Sequence, residues 1–360
     1  MNSAQPATTR VALVTTLRGA ERVLESFVHY HLGVGFSRLY LFFDDADDPA
    51  LEIARRLNDS RIAILVRGAE LDVEWRKCIQ FGYYAPHVAH EVMARQSLNA
   101  EVAVQRALAD QIDWLLHIDA DELFHCPGQD APTHFSSLAA QGVERAIYPN
   151  FEALCESETV ADFFRDVTLF KFNPNLQPGG RLSAAQQAAT DASSKFPPHF
   201  FLFYSNGKSA ARVRPGLVPD GVHRFHARHY LRAGQTVATA PTPTNERVIG
   251  DCRILHYACC GFDTFLEKYR TLGAFADKWF GNVDIRSSIG AFHLGARDVV
   301  ATGDREAALR FYRQFVMVDD PVTIETLIRC GLLVRITGPA ESLRTRGDGS
   351  DHEDSRTVPR

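Results

Sequence analysis

Across its first 125 residues the chain alternates short apolar runs with amphipathic stretches. VALVTTL (11–17), RLYLFF (38–43), RIAILV (61–66) and WLLHI (114–118) are short, β-rich and bounded by polar positions or glycine. That pattern predicts buried strands. Between the first two, Glu21 to Leu32 sets Leu24, Phe27, Val28 and His31 on one helical face and closes at Gly33 and Gly35. Asp48-Pro49 reads as an N-cap followed by proline at the first helical position, opening the helix ALEIARRL. A long polar-aromatic connection (67–93) precedes a helix expected over 95–111. Strand–helix–strand at this rhythm predicts an α/β fold, its sheet mostly parallel with right-handed crossovers. Ligands of such sheets gather beyond the carboxyl ends of the strands, so the positions after 17, 43, 66 and 118 carry the functional expectation.

The second half is less regular. AIYPNF (146–151), VTLFKF (167–172), FFLFY (200–204), ARVRP (211–215) and RILHYA (253–258) read as strands of a mixed C-terminal half. Residues 173–200 read as a long loop. Phe262 to Leu272, Arg305 to Val316 and Val322 to Cys330 read as helices, the last opened by a second cap-plus-proline pair, Asp320-Pro321. Residues 339–360 are charged and rich in small residues, which predicts a disordered tail.

Composition narrows the class. The 360 residues are 45% hydrophobic and 23% charged, as in ordinary globular proteins. The formal charge of −5 gives no field to hold nucleic acid or an anionic membrane surface. There is no apolar run of about 18 residues to span a bilayer and no secretory signal pattern at the N-terminus. The seven cysteines are scattered without a C-x-x-C pair, which predicts buried free thiols and no structural zinc site, in a reducing, cytoplasmic compartment.

The sharpest feature is HIDADELF (117–124). Asp119 and Asp121 lie two apart where a buried strand ends, and strand geometry would point both carboxylates the same way, about 7 Å apart. Converging carboxylates call for a cation between them, and hard oxygen ligands suit Mg²⁺ or Mn²⁺ with a substrate diphosphate. The alternative is that the pair caps a turn. Glu122 follows at once, facing an acceptor or making a salt bridge. Arg95 and Asn99 share a helix face and are placed for a diphosphate or sugar, or else form a solvated face. The inverting transfer that the family resemblance given next implies needs a base for an acceptor hydroxyl; FEALCESETVADFFRD offers Glu152, Glu156, Glu158, Asp162 and Asp166, with Glu152, Asp166 and Glu122 as the candidates.

These motifs, in order, are VTTLRGAERVLESFVHYHLGVGFSRLYLFFDD, ARQSLNAEVAVQRA, WLLHIDADELF, GVHRF and ILHYACCGFDTFLEKY. The chain thereby resembles GT-A glycosyltransferases of the family 2-like and family 92-like type over residues 10–275. The resemblance implies a Rossmann-like nucleotide-diphospho-sugar transferase fold, Mn²⁺ or Mg²⁺, a nucleotide-sugar donor and transfer with inversion. It implies a glycosyltransferase domain at 8–275, with a nucleotide-binding half (8–125) and an acceptor-side half (126–275); the helical patterns beyond it mark 276–338 as a helical extension. It places Asp119 and Asp121 on the metal motif. It places His256 on a late histidine that completes the metal shell, against the alternative of a core histidine. It puts Thr16 and Arg18 beside the nucleotide and Asp44 or Asp45 on its base or ribose. Lys208 and His223 fall on the family's lysine and its Val-His before the closing segment; Lys208 would balance phosphate charge or lie exposed, and Lys268 would touch phosphate or pack. FFDDADDP departs from the family's commoner Asp-Asn-x-Ser pattern. The implied acceptor is a glycan or a lipid-linked molecule, and the latter would bring the protein to the inner face of a membrane.

Competing classes fit less well. A sugar nucleotidyltransferase would carry a glycine-rich loop after the first strand, where TTLRGAERV has only Gly19. A phosphatase of the aspartyl type would carry its D-x-D after the first strand. A non-catalytic nucleotide-sugar-binding protein is the remaining alternative. The aromatic stretch Trp75, Phe81, Tyr83 and Tyr84 would line a sugar site or pack as a lid.

Overall fold

The computed structural model describes residues 8–173, 176, 181–191, 206–226, 228–232, 235–238, 245–273, 278–279, 283–284 and 287–347. The strand expected at 200–204 lies outside the described residues. The chain divides into two compact units, one from residues 1–150 and 204–255, the other from 151–203 and 256–360.

In the first unit the expected strands form as β1 (Val11–Leu17), β2 (Arg38–Phe43), β3 (Ile62–Val66) and β4 (Trp114–His117). All seven residues of β1 are buried, as a strand covered on both faces requires. The order is β3-β2-β1-β4, all parallel. The order then turns mixed. Lys208–Arg212 runs antiparallel to β4, and a later strand, Arg145–Tyr148, lies antiparallel on its far side. Glu246–Val248 pairs parallel to the latter at the edge. This is the α/β, mostly parallel sheet with a mixed second half that the sequence predicts. Insertion of Lys208–Arg212 between β4 and Arg145–Tyr148 also explains why residues 204–255 belong with the first 150. The boundaries expected at 125 and 275 do not coincide with those units.

Helices α1 (Leu24–Gly33), α2 (Pro49–Leu57), α3 (Ala69–Arg76), α4 (Phe81–Tyr84), α5 (Val92–Ala109) and α6 (Ala131–Ala140) complete this unit. Asp48 caps α2 as expected, accepting from Ala50 N–H at 2.9 Å. The connection 67–93 is not irregular: it contains α3 and α4. The short strand β5 (Glu122–His125) was not expected. His31 ties it to α1, donating from Nδ1 to the Phe27 carbonyl (2.8 Å) and accepting the Phe124 N–H at Nε2 (3.3 Å).

Glu101 on α5 is buried and accepts the backbone N–H groups of Ile79 and Gln80, holding the start of α4. Burial pushes its carboxyl up to about 7. The folded value lies above the unfolded one, so the folded state holds the proton more tightly. Glu101's own contribution to stability is therefore fully present below about pH 4.5 and is lost as pH rises to about 7, by up to about 3 kcal/mol. Denaturant titrations of the wild type and Glu101→Gln across this range should differ by that amount, the wild type losing stability relative to the variant as pH rises. Equal slopes would remove the assignment.

In the second unit, Leu169–Lys171 pairs antiparallel with both Asn150–Ala153 and Leu333–Arg335. Helices cover Phe262–Leu272, Ser287–Ala301, Arg305–Phe315 and Pro321–Arg329. Asp320 caps the last of these through Thr323 N–H at 2.8 Å. The core centres on Tyr257, flanked by the rings of Phe163, Phe164 and Phe170 at 5.4, 4.9 and 5.4 Å. The tail expected from 339 begins as a helix, Gly338–Gly347, because Ala340 and Leu343 are buried. Among the described residues, no helix is long and apolar enough to cross a membrane.

Candidate functional site

The DADE segment closes a turn at the end of β4. Glu122 N–H donates to the Asp119 carbonyl (3.1 Å), and Asp119 N–H donates to Glu122 Oε2 (2.7 Å). The strand stops at His117, so the period-two argument for Asp119 and Asp121 does not apply. A turn, not a strand, presents the two aspartates. Asp121 is half-buried and Glu122 is buried.

Lys208 opens the inserted antiparallel strand and carries its ammonium into this turn. Its Nζ lies 2.6 Å from Asp119 Oδ2 and 3.5 Å from Glu122 Oε2, and donates to the Val222 carbonyl at 3.1 Å. Gly207 makes that placement possible. Its φ is +64°, and a Cβ there would sit 2.2 Å from the Tyr148 carbonyl oxygen. Only glycine accepts both conditions without strain. Asn150 Oδ1 fixes the same point by accepting Gly207 N–H at 3.0 Å.

Electrostatics follow from three carboxyl groups around one buried ammonium. Burial works against ionisation of Asp119, but Lys208 overrides it and holds the carboxyl below its ordinary range. Burial likewise disfavours the Lys208 ammonium, yet Asp119 and Glu122 keep it charged and raise its value. Burial pushes Glu122 up to about 8; Lys208 opposes the shift, while Asp119 and Asp121 add to it. His223 hangs beside this cluster, its Nδ1 3.1 Å from the Gly207 carbonyl. Burial and Lys208 hold its imidazole neutral, down to about 3. His117, on β4, is 2% exposed, with both ring nitrogens lacking hydrogen-bond partners. Burial keeps it neutral too, down to about 3.

Helix α5 lays three side chains along the strand ends. Arg95 meets Asp44, just past β2, with Nε to Oδ1 at 2.5 Å and Nη2 to Oδ2 at 2.7 Å. The two residues read from sequence as separate ligand contacts are thus joined in a buried, bidentate pair. Gln96 Nε2 donates to Asp119 Oδ1 at 2.9 Å. Asn99 Nδ2 donates to Thr16 Oγ1 at 3.0 Å, and Asn99 Oδ1 accepts the Trp75 indole N–H at 2.9 Å. Trp75 is 2% exposed, so it packs rather than lining an open sugar site. Arg18 and Asp45 are exposed at the same sheet edge. Gln96 was missed in the sequence; its position between Arg95 and Asn99 was the available signal.

The remaining predicted residues lie in the second unit. Glu152 is buried and pairs with Lys171 at 3.2 Å. Asp166 Oδ2 accepts the backbone N–H groups of Ala161 and Asp162 at 3.2 and 3.0 Å. His256 is buried, and Lys268 is half-buried on the helix Phe262–Leu272. The thiol expectation fails at one pair. Cys126 and Cys252 are disulfide-bonded across 126 positions, while the other five cysteines form no disulfide among the described residues.

Could the DADE cluster hold a divalent cation? Its donors are hard carboxylate oxygens, and one ammonium leaves them in excess negative charge. Each carboxylate oxygen accepts two contacts, so Gln96 and Lys208 do not exhaust Asp119. The donor type therefore suits such an ion, with the Lys208 ammonium already holding Asp119 Oδ2 at 2.6 Å.

No family model matches the chain. It is similar to two Arabidopsis thaliana proteins named glycosyltransferase-like. One is 28% identical over 346 residues and the other 29% over 343, each alignment covering 92% of this chain. The chain spans 62% of the first relative's length and 71% of the second's. Among solved structures, core-mannan synthase A from Aspergillus fumigatus, in its Mn/GDP form, is 11% identical. It aligns over 59% of this chain and 62% of that one, with a TM-score of 0.28. The fold rests on the sheet order above.

Proposed function

We propose that the protein is a metal-dependent glycosyltransferase. It moves a sugar, with inversion, from a nucleotide-diphosphate donor to a hydroxyl of a glycan or lipid-linked acceptor. The observation that carries this reading is the DADE turn at the carboxyl end of β4, where Asp119 and Glu122 meet the buried Lys208 ammonium and Asp121 lies between them in the turn. Similarity to two proteins named glycosyltransferase-like supports it.

In this reading Asp119 and Asp121 would hold Mn²⁺ or Mg²⁺, which when bound supplies positive charge to the departing diphosphate. Lys208 and Gln96 hold the Asp119 carboxylate in place, and Glu122 holds its backbone. The Arg95–Asp44 pair and the Asn99–Thr16 contact stiffen the ends of β2 and β1, where the nucleotide would lie with Arg18 and Asp45 at its edge. Among the base candidates we favour Glu122, which lies in the same unit as the two aspartates.

The 2.6 Å contact between Lys208 and Asp119 favours a second reading, in which the ammonium itself balances the diphosphate and no divalent ion takes part. One assay separates the two. The full chain is melted with UDP or GDP, with and without Mn²⁺, and nucleoside diphosphate release from UDP- and GDP-sugars is followed with and without EDTA. Stabilisation of about 2.7 kcal/mol is expected at a hundredfold excess over Kd. We expect it only with Mn²⁺. EDTA-resistant turnover would select the lysine reading, and no response to any nucleoside diphosphate would overturn both.

A further inference from the structure

Away from the acidic turn, the first unit gathers a second set of ligating side chains. Cys126 follows β5 and is half-exposed. His134 lies on α6 and Cys252 just before the strand Arg253–His256, both buried. Their ligating atoms all lie within 4.8 Å of one another. His134 Nδ1 faces Cys252 Sγ at 3.4 Å, and its Nε2 lies 2.9 Å from the Tyr148 hydroxyl. With the proton on Nε2, His134 donates to Tyr148 and turns the Nδ1 lone pair toward the sulfurs. The rings of Phe124 and Phe135, at 5.9 and 5.1 Å, hold the imidazole in that orientation.

In the structure Cys126 and Cys252 are joined, and a disulfide is one of two states open to this trio. We propose that in the reduced protein Cys126, His134 and Cys252 form a Zn²⁺ site. A small dithiol, itself closing to a disulfide, supplies the electron pair and two protons that turn the S–S bond into two thiols; a phosphine does the same with one water, becoming the phosphine oxide. Zn²⁺ then displaces their two protons and takes the neutral imidazole as third ligand, with water in the fourth position beside half-exposed Cys126. Two thiolates and an imidazole select zinc over Mg²⁺ or Mn²⁺, which prefer oxygen. The Tyr148 hydroxyl plays the part that outer partners of zinc-bound histidines play, fixing tautomer and ring. Such a site would clamp the end of β5, the strand that begins at Glu122, to α6 and to the strand Arg253–His256. It is independent of the proposed transferase reading, because sulfur rather than oxygen defines it.

The test uses the full chain, reduced with a phosphine under argon and titrated with Co²⁺. We expect one Co²⁺ per chain to bring a thiolate-to-cobalt charge-transfer band, which Zn²⁺ then abolishes. The acidic turn has no sulfur and adds nothing to that band. Cys126→Ser, Cys252→Ser and His134→Gln should each lose it. Tyr148→Phe should keep the band but weaken zinc binding by about 10–100-fold. Folding of each variant is checked by circular dichroism; if Cys252→Ser does not fold, half-exposed Cys126→Ser probes the same ligand set. Absence of the band in reduced, folded wild-type protein would overturn the proposal. So would a band that survives loss of either cysteine, or a Cys126–Cys252 bond that no reductant opens in the native protein.

Discussion

Asp121→Ala should lower metal-dependent release of nucleoside diphosphate from the protein's donor by about 10²–10³-fold, the usual loss when one pre-placed electrostatic contact to a developing charge is removed. Asp121 is half-buried in the turn after β4, where its neighbour Asp119 is already committed to Lys208 and Gln96. The variant should also need more Mn²⁺ to reach half its own maximal rate, because a ligand is gone. Asp48→Ala is the matched comparison. That aspartate caps α2 and accepts Gly19 N–H at 2.8 Å, so its loss should cost about 1 kcal/mol of stability and leave the Mn²⁺ requirement alone. If Asp121→Ala and wild type share one rate and one Mn²⁺ dependence, the metal assignment fails.

Lys208→Met should be among the most destabilising single changes in the first unit. The side chain is 1% exposed, and its ammonium is the charge that balances half-buried Asp119 beside buried Glu122. Removing one partner of a buried ion pair leaves uncompensated charge and costs about 3–5 kcal/mol. Methionine keeps nearly the same length, so lost packing contributes little. Denaturant unfolding with and without Mn²⁺ makes the result specific. A divalent cation can take over the neutralising role, so Mn²⁺ should stabilise Lys208→Met more than wild type. Equal stability of the two proteins would mean that the lysine does not balance this cluster. Equal response to Mn²⁺ would mean that the turn does not bind the ion.

The readable parts of this molecule were those written over short distances. Apolar runs of four to seven residues marked β1 to β4. The pairs Asp48-Pro49 and Asp320-Pro321 marked two helix starts, and an acidic motif behind WLLHI marked the sheet edge where chemistry should lie. Each depends on neighbours within about one helical turn, so the sequence alone determined it.

What the tertiary structure decided depends on pairings between distant positions. Asp119 and Lys208 are 89 residues apart, and Arg95 and Asp44 are 51 apart. They meet because Lys208–Arg212 enters the sheet against β4 and because α5 crosses the strand ends. Neither event leaves a local period. The turn at 119–122 replaced the expected strand end because one carboxylate, Glu122, could satisfy the Asp119 N–H, a hydrogen bond that apolar patterning does not report. Cys126, His134 and Cys252 show the same limit. Spacing rules look for ligands close in sequence, whereas here the fold brings a strand end, a helix and a second strand to one point.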